Sequence, residues 1–216
     1  MTGSGWGVEF VTLHVVAEVQ GGGRLGDFAG TTIRGAFGLA LRRLCCHMLD
    51  ARCEDCVLRH RCAYGVIFEG VPPPQRAVMR KYPRVPQPFL LIVPSGSRLA
   101  LRVGERFRFG IRLFGPALEM YPYVVQAVVH MLERGLGRER ARLDLLEVSD
   151  GSSVVFRAGA RTVRPVSRRW LAVPEVPGVP VRAVEVCFET PLRMQLAGRM
   201  VGRPGLEAVL RAAGRP

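Results

Sequence analysis

Between Glu9 and Val19 the odd positions Val11, Leu13, Val15, Ala17 and Val19 are apolar, whereas Thr12, His14 and Glu18 lie between them. That period of two predicts a strand with one buried face. A turn-rich stretch, QGGGRLGDFAG, follows. The spacing then becomes helical: Ile33, Phe37, Ala40, Leu41, Leu44 and Met48 form one stripe, with Thr31 or Thr32 placed to cap it. Proline-rich residues 71–88 separate this helix from PFLLIVP (88–94), which reads as a buried strand. Over 98–114 the alternation returns, with Leu99, Leu101, Val103, Phe107, Phe109, Ile111 and Leu113 on one face. Arg98, Arg102, Arg106, Arg108 and Arg112 take the other, and Gly104-Glu105 suits a turn between two strands. A second helix is expected from Pro122 to Arg134, stopped by Gly135. Arg142–Val148 reads as a strand onto which Ser153–Arg157 hairpins back.

This order is that of the split βαβ, ferredoxin-like (RRM-like) arrangement, an α+β fold. It fills residues 1–158, with a cysteine-rich insertion at about 45–64. Residues 159–183, rich in proline and arginine, read as a linker. VEVCFETP (184–191) and a helix from Pro204 to Ala213 look like the start of a second, truncated domain of the same kind over 184–216.

The chain has 216 residues, 48% of them hydrophobic, which excludes a disordered tail or a disulfide-stapled mini-protein. No apolar run reaches membrane-spanning length, and the N-terminus lacks the basic-then-apolar pattern of a signal peptide. A soluble cytoplasmic protein without membrane association is expected, in which six cysteines are ligands or buried thiols rather than disulfides. Charge sharpens the picture, since the formal net charge is +13. Lys81 is the only lysine, an arginine bias to which GC-rich coding contributes. Residues 1–75 are neutral overall, 76–112 carry +8, 113–150 carry −2 and 151–216 carry +7. Such a balance favours a polyanion, because arginines that replace the counterions of a phosphate backbone release them. Nucleic acid is the first expectation.

Among the motifs, Cys46-x(6)-Cys53-x(2)-Cys56-x(5)-Cys62 stands out, with Cys45 as an alternative first ligand. Four thiolates from a short loop can enclose zinc tetrahedrally and give shape to a segment with few apolar residues. An iron–sulfur cluster shares this ligand set, and plain buried thiols are the bland alternative. In residues 135–142, GLGRERAR, Gly135 and Gly137 allow close backbone approach to a phosphate that Arg138, Arg140 and Arg142 could pair. An ordinary helix C-cap beside a solvated basic strand would read the same. The arginine row at 98–112 suits a nucleic-acid backbone, although aromatic stacking residues are missing from its face. For His14, His47, His60 and His130 a structural role outweighs a catalytic one. Walker A, HExxH and GxSxG motifs are absent, which argues against nucleotide hydrolysis and metalloprotease chemistry.

Taken together, TTIRGAFGLALRRLCC, the C-x(2)-C-x(5)-C-x-Tyr64 knuckle, VIFEG, FLLIVP, RLFGPA, GLGRERARLDLLEV and FETPLRM resemble the CRISPR RNA-processing endoribonucleases of the RAMP superfamily. The resemblance implies tandem ferredoxin-like domains that bind CRISPR repeat RNA. It also implies cleavage of precursor CRISPR RNA without a catalytic metal, through attack of a ribose 2′-hydroxyl that leaves a 2′,3′-cyclic phosphate. Non-catalytic RNA-binding subunits of CRISPR effector complexes share the superfamily and are the alternative. Relatives often carry a histidine in the first helix where this chain reads Leu39-Ala40-Leu41, so His47, then Tyr64, are the substitutes for the catalytic base. On this resemblance RNA is expected at Arg34, Arg42, Arg43, Arg106, Arg108, Gly135, Gly137, Arg138, Arg140 and Arg142. Structural zinc is expected on Cys46, Cys53, Cys56 and Cys62.

Overall fold

The computed structural model describes residues 7–26, 28–48, 52–75, 84–94, 100–172, 183, 185–188, 194–196 and 199–213. They divide into two compact units, and those from 183 onward belong to the second.

The larger unit is an α+β fold. Its elements are β1 (Gly7–Val19), β2 (Gly23–Arg24), α1 (Ala29–Cys45), β3 (Phe89–Ile92), β4 (Ala100–Leu101) and β5 (Arg106–Phe114), followed by α2 (Tyr121–Arg134), β6 (Leu143–Ser149), β7 (Val154–Arg157) and β8 (Arg169–Ala172). The main sheet has the strand order β3-β5-β1-β6-β7, and β8 pairs with the first residues of β1. Every pairing in it is antiparallel. The period-two pattern decides its faces: Val11, Leu13, Val15, Ala17 and Val19 are all buried, as are Phe107, Phe109, Ile111 and Leu113 on β5. Ile33, Phe37 and Leu41 of α1 and Val124, Val128, Met131 and Leu132 of α2 close over that face. On the opposite face His14, Arg106 and Arg108 are exposed, whereas Phe10 and Thr12 are buried.

Several expectations are corrected. α1 begins at Ala29, and Phe28 rather than a threonine occupies its N-cap, with no side-chain cap bond. The same helix ends at Cys45, so Met48 falls outside it and is exposed. The two strands around Gly104 exist but do not pair with each other. β4 pairs with β2, whereas β5 lies between β1 and β3. Val103 is therefore a solvent-exposed turn residue; Arg98 and Leu99 lie outside the described residues. β3 is an edge strand, with Phe89 buried but Leu90 and Ile92 exposed, because only one of its faces meets α1. The stretch read as a linker from 159 instead contributes β8.

Asp150 anchors that last addition. Its buried carboxylate accepts backbone N–H bonds from Ser152 (2.8 Å), Ser153 (2.7 Å) and Ser167 (2.7 Å). One side chain thus ties the β6–β7 turn to the segment that leads into β8.

The second unit contains β9 (Met194–Leu196) and β10 (Arg199–Val201), paired antiparallel, and α3 (Leu206–Ala213). Residues 185–188 of the expected strand VEVCFETP are not in a strand, and Cys187 among them is exposed; residues 184 and 189–191 lie outside the described residues. Among the described residues no helix is long and apolar enough to cross a membrane.

Candidate nucleic-acid interface

Three glycine-bearing turns meet at one end of the sheet. The first, residues 20–24, leaves β1. Gln20 and Gly21 donate their N–H groups to the Arg142 carbonyl at the start of β6, at 2.8 and 3.0 Å. The second, 102–106, enters β5: Gly104 N–H bonds the Val19 carbonyl at 2.9 Å, and Val19 N–H bonds that of Glu105 at 2.9 Å. The third, 135–142, joins α2 to β6 as a tight loop closed by the reciprocal Leu136–Ala141 bridge. Its buried Leu136 and Ala141 hold the loop down, which leaves Arg138, Glu139 and Arg140 outside.

Close packing here requires glycine. Gly137 has φ +74°, and a Cβ on it would lie 2.8 Å from the Arg24 carbonyl oxygen. Gly135, at φ +87°, faces the Arg140 backbone too closely for any side chain. Arg140 itself has φ +48° and is the one non-glycine residue in the left-handed region among those described. A strained arginine on a solvent-facing loop is a feature of binding loops more than of scaffolds. As a result Arg24, Arg102, Arg106, Arg138, Arg140 and Arg142, all exposed, share one rim. Glu105 engages Arg102 at 3.7 Å, and Glu18, Glu139 and Asp144 temper the charge. Arg24 was not singled out from the sequence, although the triple glycine before it marks a place of close backbone approach.

Arg34, Arg42 and Arg43 sit elsewhere. Gly30, Arg34, Gly38 and Arg42 recur every fourth residue along α1, hence on one side of it. The π-helical turn Tyr64–Phe68 packs against that side. Arg34 lies over Phe89 (4.7 Å) and Phe68 (5.2 Å), Arg42 over Tyr64 (5.9 Å), and Phe68 presses its ring onto the bare backbone of Gly38. The rings continue one another, Tyr64 to Phe68 at 5.6 Å and Phe68 to Phe89 at 6.1 Å. Burial pulls the Arg34 pKa down, though never enough to discharge a guanidinium. Arg43 points to solvent.

The cysteine loop lies at the far end of α1. Cys45, Cys46, Cys53, Cys56 and Cys62 all line one small, mostly apolar cavity, together with His47 and Leu58. All five are half-buried free thiols. Burial, followed by the proximity of Cys62, pushes the Cys45 thiol up to about 11, and burial likewise raises Cys53. As donors, thiols suit zinc. Yet among the described residues no three His, Cys, Asp or Glu side chains are grouped so as to hold an ion.

His47 is exposed just past the helix. Tyr64, by contrast, is buried and donates its hydroxyl to Glu69 at 2.7 Å; Glu69 also pairs with Arg84 at 3.3 Å. Burial first, then this carboxylate, raises the Tyr64 pKa, so a phenolate base is disfavoured there. α1 spans 17 residues, or about 25 Å. The rim packs near its N-terminus, through Gly137 against Leu25, whereas His47 follows its C-terminus. The structure therefore brings Arg106, Gly135, Gly137, Arg138, Arg140 and Arg142 together, and separates them from His47, Tyr64 and the cysteines.

No curated protein matches the chain. A family model described as AF_1859_N, an N-terminal domain, matches residues 8–168. Because that match covers well over half of the chain, taking in α1, α2 and all three glycine turns, the chain belongs to the AF_1859_N family.

Proposed function

We propose that the larger unit is a ferredoxin-like RNA-binding domain of the RAMP type, which holds CRISPR repeat RNA by its phosphates at the glycine rim. The β-α-β-β-α-β succession with strand order β3-β5-β1-β6 supports the first part of this reading. One observation carries the second: three glycine-bearing turns, of which the 135–142 loop cannot pack with any side chain at Gly135 or Gly137, deliver six exposed arginines to one edge. Guanidinium groups pair phosphate oxygens two at a time, and backbone bared by glycine lets a phosphate come close. Held in this way, RNA could be carried as part of a CRISPR effector complex.

A fluorescence titration of the full chain with labelled repeat RNA, repeated over a range of salt, tests the reading. Arg138→Ala should weaken binding and flatten the log–log salt slope by roughly 0.7 to 0.9. An unchanged slope would remove the rim from the interface.

Cleavage of precursor CRISPR RNA is the second reading, favoured by the exposed His47 two residues past the end of α1. His47 would take the proton of a ribose 2′-hydroxyl. The freed 2′-oxygen then attacks the adjacent phosphorus, the bond to the 5′-oxygen breaks, and that oxygen leaves with a proton from solvent. The products are a 2′,3′-cyclic phosphate and a 5′-hydroxyl. One positioned base contributes about 10²–10⁴-fold. A strand gripped at the rim must travel the length of α1 to reach His47, so the cut would fall away from the gripped phosphates. Binding is the better supported reading because the arginines share one rim, whereas His47 and Tyr64 line the cysteine cavity away from that rim and Tyr64 is engaged with Glu69. Incubation with repeat RNA in EDTA separates the two: a cyclic phosphate product, lost in His47→Ala, supports cleavage, and tight binding with RNA left intact supports the holder.

The same reading would put structural zinc on Cys46, Cys53, Cys56 and Cys62, which line one cavity and would have to draw together to bind it. Zinc there would hold the loop in shape.

A further inference from the structure

Opposite the helices, the open face of the sheet splits into two halves. On β1, β6 and β7 it shows Glu18, Asp144 and Glu147, the last paired with Arg157 at 3.7 Å. On β3 and β5 it shows no acid at all among the described residues. In register across β3, β5 and β1 run Leu90–Arg112–Thr12 and, one step along, Ile92–Gly110–His14. Leu90 and Ile92 are 56% and 43% exposed; the sheet's other exposed large apolar residues, Val8, Trp170 and Leu171, lie where β8 joins β1.

Arg112 is fixed in an unusual way. Its Nε donates to Thr12 Oγ1 at 2.9 Å, and its guanidinium lies 4.7 Å from the centre of the buried Phe10 ring. Arg169 approaches the same ring at 5.8 Å. Phe10 is buried beneath these two guanidinium groups, and Arg112 itself is half-buried. Beside it, Gly110 keeps the floor low between Ile92 and His14; a Cβ there would come within 3.3 Å of the Ile92 Cβ.

We propose that this half-face is a base-stacking platform for single-stranded RNA, a reading that rests on the rim's holding the same strand by its phosphates. One nucleobase lies flat on Arg112, flanked by Leu90, and the next settles in the dip at Gly110 between Ile92 and His14. Arg106 and Arg108, exposed on the same strand, lead from the rim to the platform and take the intervening phosphates. From Arg106 to Arg112 is about 20 Å of strand. Guanidinium planes and apolar side chains stack bases of any sequence, and only unpaired bases can splay onto them. The acids of β6 repel phosphate from the other half, which confines the strand to the β3–β5 side.

The test compares binding of the full chain to labelled single-stranded oligouridylate and to an RNA duplex, by fluorescence anisotropy over a range of salt. Arg112→Lys keeps the charge but loses the plane. It should weaken single-strand binding roughly tenfold, with the salt slope and duplex binding unchanged. Leu90→Ser with Ile92→Ser, both at exposed positions, should weaken it several-fold in the same way without affecting folding. Ultraviolet cross-linking should place the oligouridylate on residues 89–93 or 106–114. If all these variants bind as wild type does while Arg138→Ala still weakens binding, the platform is wrong and the rim stands. If Arg138→Ala changes nothing while Arg112→Lys weakens single-strand binding, the rim reading falls and the stacking surface survives. Serine variants that alter only self-association in sedimentation would assign the apolar positions to a protein partner and overturn the proposal.

Discussion

Gly35 and Gly38 lie three residues apart on α1, yet alanine should act on them in opposite directions. A Cβ on Gly35 meets nothing within 4 Å, so Gly35→Ala gains only helix propensity, about 0.8–1.0 kcal/mol. On Gly38 the same Cβ would enter the Phe68 ring. That ring cannot step aside easily: Tyr64 stacks on it at 5.6 Å, Phe89 at 6.1 Å, and Arg34 covers it at 5.2 Å. Overpacking of this kind costs about 1–3 kcal/mol, and displacing the ring forfeits a cation–π contact of about 0.5–2 kcal/mol. After the propensity gain, Gly38→Ala should destabilise by about 0.5–4 kcal/mol. Urea denaturation reads both variants as midpoint shifts of opposite sign. A third, Gly38→Ala with Phe68→Leu, should be milder than the two single changes added together, since the leucine makes room for the methyl. Should Gly38→Ala raise the midpoint as Gly35→Ala does, the α1–aromatic packing is misplaced. The same pair bears on binding, because an exposed helix glycine with no packing reason suits a partner's close approach; weaker RNA affinity in a stabilised Gly35→Ala would register it.

Three further outcomes follow from particular side chains. Burial opposes ionisation of Asp150, but the Ser167, Ser153 and Ser152 N–H groups outweigh it and hold its pKa below the ordinary carboxylate value. Its contribution is thus complete above the unfolded-state pKa near 4 and is lost as pH falls through the lower folded value. Asp150→Asn should cost about 2 kcal/mol at pH 7 and lose less stability than wild type below pH 4, checked by thermal unfolding across pH. Arg140→Gly relieves a left-handed arginine, so it should stabilise by about 1 kcal/mol while weakening RNA binding; a loss of stability would mean that the side chain supports the fold. Elemental analysis of the purified chain should find about one zinc per molecule. Chelation or Cys53→Ser should expose residues 46–62 to protease while the sheet persists, and a metal-free protein with that loop equally resistant would refute the zinc assignment.

Much of the larger unit is legible from periodicity, because a half-buried strand and a helix laid over it repeat their burial at fixed intervals. β1, α1, β5, α2 and the β6–β7 hairpin all appear in the alternation of Val11 to Val19, the stripe through Phe37, and the glycine that stops α2. Long-range pairing leaves no such trace. Nothing local says that β4 joins β2 instead of β5, or that residues 169–172, in proline- and arginine-rich surroundings, become a strand; β1 offers its free edge there, and Asp150 draws the preceding segment in. The residue types of the candidate sites are legible in the sequence, since glycine turns, arginine rows and cysteine spacings are local patterns. Their distribution in space belongs to the fold alone. α1, a rigid rod of about 25 Å, carries the glycine rim near one end and the thiol cavity at the other, and whatever RNA is held at the first must cover that distance to reach the second.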